Sequence, residues 1–243
     1  MRRWHRELGL PVGLLYVAHR LLLAVSRGRA RIVPYRLFAQ PIGAGRYETV
    51  RNDPATEVRS VDRNTPVVGA FPRSREVNEK RFSEGHECWV ALVKGEFAGH
   101  IWLARDRYVE DEVRCEYTWP SEPSCVWDFD VYVEPRFRMG RTMGRLWKGV
   151  DSALQGQNVL WSLSRISMFN PASSAAHASL AAVEIGRAIF IVLWSAQLAV
   201  SSIRPYASLT FSTGKGVPRL RLTAPPHPAG PRRAKAGAER SDR

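Results

Sequence analysis

Short segments in which polar and apolar positions alternate recur along the chain, and they predict a protein rich in β-strands. The run CVWDFDVYV at 125–133 is the clearest, because acidic side chains alternate there with aromatic and β-branched ones. Residues 31–42 have a similar strand composition, and residues 87–104 read as two strands joined at Lys94-Gly95-Glu96, a hairpin signal. Further strands are expected at 113–119 and 159–169, with a strand or a buried helix at 188–196.

Apolar positions at helical spacing predict helices between these strands. Residues 171–182 form one candidate helix and residues 76–86 a short one, whereas residues 43–66 are polar and read as a loop. A further helix at 139–154 places five apolar side chains on one face, those of Met143, Leu146, Trp147, Val150 and Leu154. From residue 125 onward the order is strand, helix, strand, helix. This order predicts two parallel strands within a mixed α/β sheet flanked by helices.

The first 30 residues predict an amphipathic helix ahead of the main domain. Six apolar residues recur there at spacings of three and four: Leu14, Leu15, Ala18, Leu21, Leu22 and Val25. We expect this stripe to pack on the domain. Arg20 lies within the same apolar segment and counts against a membrane span. Two alternatives stay open. One is a helix at a membrane interface, aided by the arginines of residues 1–6, and the other is a signal peptide, which Pro11 and Gly13 disfavour.

The net charge of +13 belongs to the two ends of the chain. Residues 1–36 hold eight arginines and one glutamate, residues 213–243 hold eight basic and two acidic residues, and residues 37–212 hold 20 of each sign. A nucleic-acid groove needs cations on the folded face, so the neutral middle gives such a function no support. We interpret 31–212 as the folded domain and 213–243, rich in Pro, Arg, Ala and Gly, as a disordered basic tail.

The cysteines and histidines give no sign of a metal site. Cys88, Cys115 and Cys125 are widely spaced, without a Cys-x-x-Cys pair, and the six histidines are scattered. A structural zinc site needs four ligands with tight local spacing, so we expect no metal. The odd cysteine count fits a reducing, cytoplasmic location.

Asn170-Pro171 marks the change from a strand to a helix, because Asn is a favoured N-cap and Pro a favoured first helical residue. Seven helical steps return the chain to nearly the same direction, so Asn170, Ser173 and His177 can share one helical face. The alternative is a plain capped helix whose histidine packs without a chemical role.

A second motif joins the strand at 125–133 to the next helix through Pro135 and a basic, glycine-bearing loop. A helix N-terminus that follows a strand presents unpaired amides and the positive end of the helix dipole, which suits a phosphate group. Arg138, Arg141 and Arg145 would add charge and paired donors. A solvated basic turn is the alternative interpretation.

These two motifs, in this order and at this distance, resemble those of the GNAT superfamily of acyl-CoA-dependent N-acetyltransferases. In that family a strand is followed by Pro and an Arg/Gln-x-x-Gly-x-Gly/Ala loop whose amides hold the CoA diphosphate. Pro135 and Arg138 occupy the matching places. Farther along, the family has Asn, a small residue three positions later and Tyr at seven, where this chain has Asn170, Ser173 and His177.

The chain departs from the family pattern in the phosphate loop, which indicates a divergent member. With Arg138 as the anchor, the two small loop positions fall on Arg141 and Met143, while Gly140 and Gly144 lie one place aside. A side chain at a position that cradles a diphosphate can crowd the ligand. Either the loop shifts its register, or Arg141 itself meets phosphate, or CoA binding is weak or lost.

The resemblance implies a GNAT-like fold in which two parallel central strands splay apart around acetyl-CoA or another acyl-CoA. An amine would attack the thioester, so the implied activity is an acyl-CoA-dependent N-acyltransferase, with acetyl transfer to a primary amine of a small molecule or protein. The implied cofactor-binding residues are the strand backbone of Phe129, Val131 and Val133, the loop residues Arg138, Gly140, Arg141, Thr142, Met143 and Gly144, and Asn170 and Ser173.

The catalytic candidates are His177 and two acids of the strand. A histidine can act as an acid near neutral pH, so His177 could protonate the departing thiolate. Asp128 and Asp130 alternate along the strand and are expected to share one face, where one could act as the base. That face could instead be exposed, or the acids could pair with Arg105, Arg107 or Arg165.

Two other functions stay open at this point. The altered loop could leave a binding protein that keeps the fold without catalysis. The basic termini could make weak contact with nucleic acid or with an anionic membrane surface.

Overall fold

The computed structural model describes residues 10–43, 45, 47–122, 124–211 and 217–226. Its helices are α1 (Leu10–Val25), α2 (Arg75–Ser83), α3 (Thr142–Gly156) and α4 (Pro171–Ser179), with short 3-10 helices at Pro66–Ala70 and Pro135–Phe137. Its strands are β1 (Ala30–Pro41), β2 (Thr56–Val61), β3 (Glu87–Val93), β4 (Glu96–Ala104), β5 (Arg107–Val109), β6 (Glu116–Thr118), β7 (Cys125–Val133), β8 (Trp161–Ser167), β9 (Val183–Leu193), β10 (Ala196–Ser201), β11 (Ala207–Thr210) and β12 (Arg219–Arg221).

A nine-stranded mixed sheet forms the centre of the molecule, in the order β11-β10-β9-β1-β8-β7-β4-β3-β2. Strands β12, β6 and β5 form a second, three-stranded sheet. In the large sheet, β7 and β8 pair in parallel, and the other neighbouring strands pair in antiparallel fashion. The predicted mixed α/β class and the predicted parallel pair are therefore confirmed.

The parallel pair is short. β7 and β8 are joined only where Cys125–Trp127 lies beside Trp161–Leu163, and beyond that point they separate. Each strand keeps its other neighbour: β8 stays paired with β1 as far as Ser167, and β7 stays paired with β4 as far as Val133. The predicted splay between the central strands is thus present in the fold.

A bulge in β7 accompanies this separation. The pairing of β7 with β4 shifts register between Phe129 and Tyr132, and Asp130 has a φ of 46°. An extra residue in one strand bends it and increases its local twist. Val126 and Val131 consequently pack in the same cluster although they lie an odd number of residues apart.

The two faces of the large sheet carry different layers. Helix α3 covers one face through Leu146, Trp147, Val150 and Leu154, which pack with Ile101, Leu103 and Val126 of the sheet. The small sheet covers the other face at Trp127, and aromatic side chains beneath α2 pack on Trp102. The gap between β7 and β8 lies between these layers.

Most predicted elements are found near their expected places, including the hairpin at Lys94-Gly95, whose positive φ values of 52° and 80° match a tight turn. The predicted loop at 43–66 was wrong in part, since β2 lies within it. Its pattern, TEVRSV, alternates exposed and half-buried residues at a sheet edge, and this short amphipathic signal is easily taken for loop.

The disordered tail predicted from residue 213 was wrong for residues 217–226. β12 pairs in parallel with β6, and Leu220, Leu222 and Ala224 are buried in the core. The alternation of Arg and Leu at 219–222 is a strand pattern that the high content of Pro and Arg obscured. Residues 213–216 and 227–243, the rest of the predicted tail, lie outside the described residues.

Helix α1 is present, but the stripe expected to pack on the domain is divided. Leu14, Leu21 and Val25 are exposed, whereas Leu15 and Leu22 are half-buried. The helix is apolar on nearly all sides, so its periodicity could not decide which side faces the sheet. Within the described part of the chain, no helix is long and apolar enough to cross a membrane.

Candidate functional site

The separation of β7 and β8 opens a cleft with a volume of about 660 Å³. Its lining comes from both faces of the sheet. On the side of the helices α3 and α4 lie Met143, Trp147, Ser173, His177 and Leu180, and on the side of α2 and the small sheet lie Arg73, Arg81, Tyr108, Asp111 and Glu112. The cleft therefore connects two surfaces that the sheet otherwise keeps apart.

Polar side chains occupy the apex of the cleft, where the strands part. The Ser162 hydroxyl of β8 donates a hydrogen bond of 2.6 Å to the carboxylate of Asp128 in β7. Ser164 lies two residues farther along β8 and lines the cleft. Its buried hydroxyl has no hydrogen-bond partner among the described residues. A buried hydroxyl without a partner is unusual, because its loss of hydration is uncompensated. A ligand in the cleft could supply that partner.

Asp128 lies in a strongly perturbed environment. Its side chain is buried, and this burial raises the pKa of Asp128 to about 6, although the bond from Ser162 and the charge of His177 act in the opposite direction. A carboxyl group with a pKa near neutrality can accept and release a proton under physiological conditions.

His177 lines the same cleft from helix α4. Its Nδ1 lies 2.9 Å from the carbonyl oxygen of Ser173, and since a carbonyl can only accept, Nδ1 carries the proton. The chemically available atom is therefore Nε2. The predicted N-cap is confirmed, because Asn170 Oδ1 accepts a hydrogen bond of 3.1 Å from the Ser173 amide. That role occupies the Asn170 side chain, whereas Ser173 and His177 both reach the cleft.

Asp130 does not share the partners of Asp128. Its carboxylate receives hydrogen bonds from Arg81 at 2.5 Å and from Arg73 at 3.3 Å, and His100 Nε2 lies 4.0 Å away. The prediction that both acids face one side assumed regular alternation, which the bulge removes. Burial raises the pKa of Asp130, but the bond from Arg81 and the charges of Arg81 and Arg73 outweigh burial and hold that pKa below its ordinary value.

The arginines proposed as alternative partners for the two acids bind other carboxylates. Arg105 pairs with Glu87 at 2.7 Å, and Arg107 lies 3.5 Å from Glu116. Arg165 is bound to the buried carboxylate of Glu110, so this alternative was wrong for all three arginines.

The ion pair of Arg165 and Glu110 stands beside the cleft on the side away from α3. The Arg165 guanidinium also lies 4.4 Å above the ring of Tyr35, whose hydroxyl donates to Glu112. Burial raises the pKa of Glu110, and the bond and charge of Arg165 act against that rise. Acidic and basic side chains thus lie together on the side of the cleft away from α3, which we call the opposite mouth.

The N-terminus of α3 forms the other end of the cleft. The backbone amides of Thr142, Met143 and Gly144 have no backbone acceptor among the described residues, as expected for a first helical turn. Met143 lines the cleft, which places this first turn of α3 beside it. Arg141, at the N-cap, is exposed and has no ion-pair partner in the described part of the chain.

Two other predicted members of the loop are partly engaged elsewhere. Arg138 donates from Nε to the Val133 carbonyl at 3.0 Å, so that carbonyl is not free to pair with a ligand while the contact persists. Arg145 forms a 2.8 Å ion pair with Asp53 and points away from the loop. Phe129 and Val131, the other two strand residues of the predicted cofactor site, line the cleft.

The glycines of the loop do not both leave space for a ligand. A Cβ added to Gly144 would lie 3.3 Å from the Val50 side chain, so this position serves the packing of α3. A Cβ added to Gly140 would meet only the Phe137 carbonyl and the Thr142 side chain at 3.4 Å or more. The free amides, the exposed Arg141 and the adjoining cleft nevertheless fit a diphosphate and an extended arm.

Among the described residues no group of three or more His, Cys, Asp or Glu side chains could hold a metal ion. The three cysteines are buried and form no disulfide among the described residues, and burial raises the pKa of Cys125 to about 11. These thiols are therefore poorly suited to act as nucleophiles.

Comparison with known proteins gives matches to solved structures. No protein-family model matches the chain, and no curated protein matches it. A conserved protein of unknown function from Staphylococcus epidermidis is similar at 14% identity and a TM-score of 0.48, over 72% of this chain and 67% of the other. A protein from Novosphingobium aromaticivorans, assigned to the GNAT family of acetyltransferases, is similar at 12% identity and a TM-score of 0.45, over 66% of this chain and 65% of the other.

A third match is a GNAT-family acetyltransferase from Elizabethkingia anophelis with acetyl-CoA bound, at 14% identity and a TM-score of 0.32, over 44% of this chain and 62% of the other. All three matches have identities below 15% and TM-scores below 0.5. Similarity at this level concerns the course of the chain and assigns no activity.

Sequence reasoning missed several residues of the cleft. Ser162 and Ser164 alternate with Trp161 and Leu163 in the first half of β8, and Gln40 stands opposite Ser162 in β1. Buried polar residues at every second position of a central strand are a signal that could have identified them. Arg81 gave no comparable signal, because its position on a short polar helix looked solvent-exposed.

Proposed function

We propose that the protein is an acyl-CoA-dependent N-acyltransferase, with acetyl-CoA as the first acyl donor to test and an amine as the acceptor. The observation that carries the proposal is the open cleft between β7 and β8, whose lining includes both Met143 in the first turn of α3 and the buried Asp128. When bound, acyl-CoA would supply an acyl group activated as a thioester.

The residues of the cleft have separate roles in this proposal. The amides of Thr142 to Gly144 and the side chain of Arg141 hold the diphosphate, through the helix dipole and charge-assisted hydrogen bonds. The unpaired edge of β7 around Val131 and the Ser164 hydroxyl offer hydrogen bonds to the arm that carries the acyl group. The acceptor enters from the opposite mouth, near Tyr108.

Transfer forms a bond between the amine nitrogen and the acyl carbon and breaks the bond between that carbon and sulfur. The amine proton passes to the Asp128 carboxylate, whose raised pKa suits this role. When its ring carries both protons, His177 donates the Nε2 proton to the departing thiolate. Release of the Asp128 proton to water, and uptake of one by His177, restores both groups.

Binding is the direct test of this proposal. Calorimetry and thermal-shift measurements on the full chain with CoA, acetyl-CoA and longer acyl-CoAs should show binding. Arg141→Ala should weaken it by about five- to fiftyfold, the loss of one charge-assisted hydrogen bond to a diphosphate. The matched control is Arg63→Ala, which removes an exposed arginine from the loop after β2.

Turnover separates the enzyme from a protein that only binds. Release of the CoA thiol from acetyl-CoA should be accelerated by amines, and the Asp128→Asn variant should lose that acceleration while still binding acetyl-CoA. If no acyl-CoA binds, the proposal is overturned. If acyl-CoA binds but no amine from a broad panel is acylated, the protein is a binding protein with this fold.

A further inference from the structure

The outward side of α1 is an apolar surface. Five of its residues are exposed to solvent over roughly half or more of their surface: Leu10 (71%), Leu14 (61%), Val17 (49%), Leu21 (61%) and Val25 (86%). Their spacing of four, three, four and four residues places them on one side of the helix. A surface helix of a soluble domain normally presents polar residues there, so this side is built to meet something other than water.

An exposed tryptophan lies beside the connection from α1 to β1. The turn between β9 and β10 contacts this connection, because the Trp194 amide donates a hydrogen bond of 3.0 Å to the Arg29 carbonyl. The Trp194 side chain is 61% exposed, and its neighbour Leu193 is 39% exposed. We call Trp194 together with the five exposed residues of α1 the apolar face. Tryptophan is enriched where proteins meet the headgroup level of a membrane, since its ring is apolar and its N–H is polar.

The charged side chains of α1 and of the turn that follows it have one sign. Helix α1 contains Arg20 and no Asp or Glu, and Arg27 and Arg29 follow it, all three exposed. None of these arginines has a carboxylate partner among the described residues. The preceding sequence, residues 1–9, adds three arginines against one glutamate. An apolar helix side bordered by uncompensated arginines is complementary to a surface with an apolar interior and anionic headgroups.

We propose that the apolar face docks onto the surface of an anionic phospholipid bilayer, with α1 lying in the plane of the interface. Over the described residues α1 runs for 16 residues, too few to cross the hydrocarbon core, so in this proposal the helix rests on the bilayer while its other side stays on the domain. This docking is independent of the acyl transfer proposed above. A second copy of the chain is a weaker fit, because pairing two such faces would bring their arginines together without carboxylates between them.

Sedimentation with vesicles tests the docking on the full chain. The protein should bind vesicles of phosphatidylcholine mixed with phosphatidylglycerol more tightly than vesicles of phosphatidylcholine alone, and added salt should weaken the binding. The double variant Leu14→Gln/Leu21→Gln should weaken binding at least about tenfold, because two leucines no longer enter the interface. Its matched control, Val77→Gln/Val109→Gln, changes two exposed valines on α2 and β5 and should leave binding unchanged.

The arginines are tested in the same way. Arg20→Gln/Arg29→Gln should weaken binding to the anionic vesicles about fivefold per residue. Arg51→Gln/Arg63→Gln removes two exposed arginines flanking β2, at the far edge of the large sheet, and should have little effect. Circular dichroism and thermal unfolding establish that each variant remains folded.

Three results would overturn the proposal. The first is a full-length protein that does not bind anionic vesicles. The second is binding that the leucine variant leaves unchanged, since the attraction would then come from charges elsewhere, such as the basic residues after 226. The third is a dimer in sedimentation velocity that the leucine variant dissociates while no vesicle binding occurs, which would assign the apolar face to a second copy.

Discussion

The Ser162 hydroxyl of β8 donates over 2.6 Å to the carboxylate of Asp128, the first residue of β7 beyond its pairing with β8. This bond connects the two strands at the point where they separate. It also gives the carboxylate a donor in a place shielded from water, but burial outweighs the hydrogen bonds, so the charged form of Asp128 is only partly compensated. The charged Asp128 carboxylate at the apex of the cleft therefore lowers the stability of the fold, although its raised pKa suits the proposed proton transfer.

Replacing Asp128 with asparagine should stabilise the protein above neutral pH. The folded pKa of Asp128 is raised, so the folded state binds more protons than the unfolded state between about pH 4 and pH 6, and wild-type stability falls as pH rises through that window. The asparagine side chain cannot ionise, although its amide oxygen can still accept from Ser162. At pH 8 the Asp128→Asn variant should be more stable than wild type by about 2–3 kcal/mol.

Urea unfolding at a series of pH values measures this difference. It should shrink as the pH falls from about 6 to about 4. The control is Asp106→Asn, which removes an exposed carboxylate and should give the same stability as wild type at each pH. A difference that does not depend on pH would show that Asp128 does not titrate in this window.

The His177→Asn variant tests the proposed acid. Asparagine can keep a donor near the Ser173 carbonyl, as Nδ1 of the histidine does, but it offers no group in place of Nε2. Turnover should fall by about 100-fold or more, while the dissociation constant for acetyl-CoA stays within twofold to threefold of wild type. Steady-state kinetics and calorimetry give the two quantities. Equal turnover in the variant and the wild type would remove His177 from the mechanism.

Arg81 should be essential for the stability of the bulge in β7. It is buried, it binds Asp130, and its guanidinium lies 5.3 Å from the ring centres of both Trp102 and Phe129. Arg81→Met leaves a largely buried carboxylate without its main partner and should lower the free energy of unfolding by about 3–5 kcal/mol.

Adding Asp130→Asn to Arg81→Met should restore part of that loss, because the uncompensated charge is then removed. The comparison variant is Arg59→Met, which breaks an exposed pair with Glu57 and should change stability by less than about 1 kcal/mol. Denaturant unfolding measures all three. A loss in Arg81→Met as small as that in Arg59→Met would mean that other contacts hold the bulge.

Ser164→Ala should separate ligand binding from folding. The hydroxyl is buried without a partner in the described part of the chain, so its removal should leave the free energy of unfolding unchanged or raise it slightly. If a bound acyl-CoA supplies the missing partner, the variant should bind acetyl-CoA about five- to tenfold more weakly. Unchanged affinity in calorimetry would place the ligand away from Ser164.

The sequence allowed the strands of the site to be predicted, but not the direction of every side chain. The composition of 125–133 identified β7, and Asn170-Pro171 identified the start of α4, because both signals are local. The bulge at Asp130 depends on its pairing with β4 and on Arg81, residues far away in the chain. No local pattern could show that Asp128 and Asp130 would have different partners.

The ends of the chain show the same limit in another form. Charge composition assigned residues 217–226 to a disordered tail, yet Leu220 pairs with Tyr117 and is buried in the core. In α1, apolar residues occur on nearly all sides. Only the packing of the helix on the folded domain distinguishes the half-buried Leu15 from the exposed Leu14. Composition and periodicity describe a segment, whereas burial depends on what the rest of the chain places beside it.

Strand β1 lies between β8 and β9 in the large sheet, so residue 35 meets residue 167 on one side and residue 188 on the other. During synthesis this strand emerges long before either neighbour, so its apolar side chains stay exposed until β8 and β9 have been made. Contacts between such distant positions slow folding and lengthen the time for which strand edges are exposed. We therefore expect β1 to be the segment that most needs protection from aggregation on the ribosome.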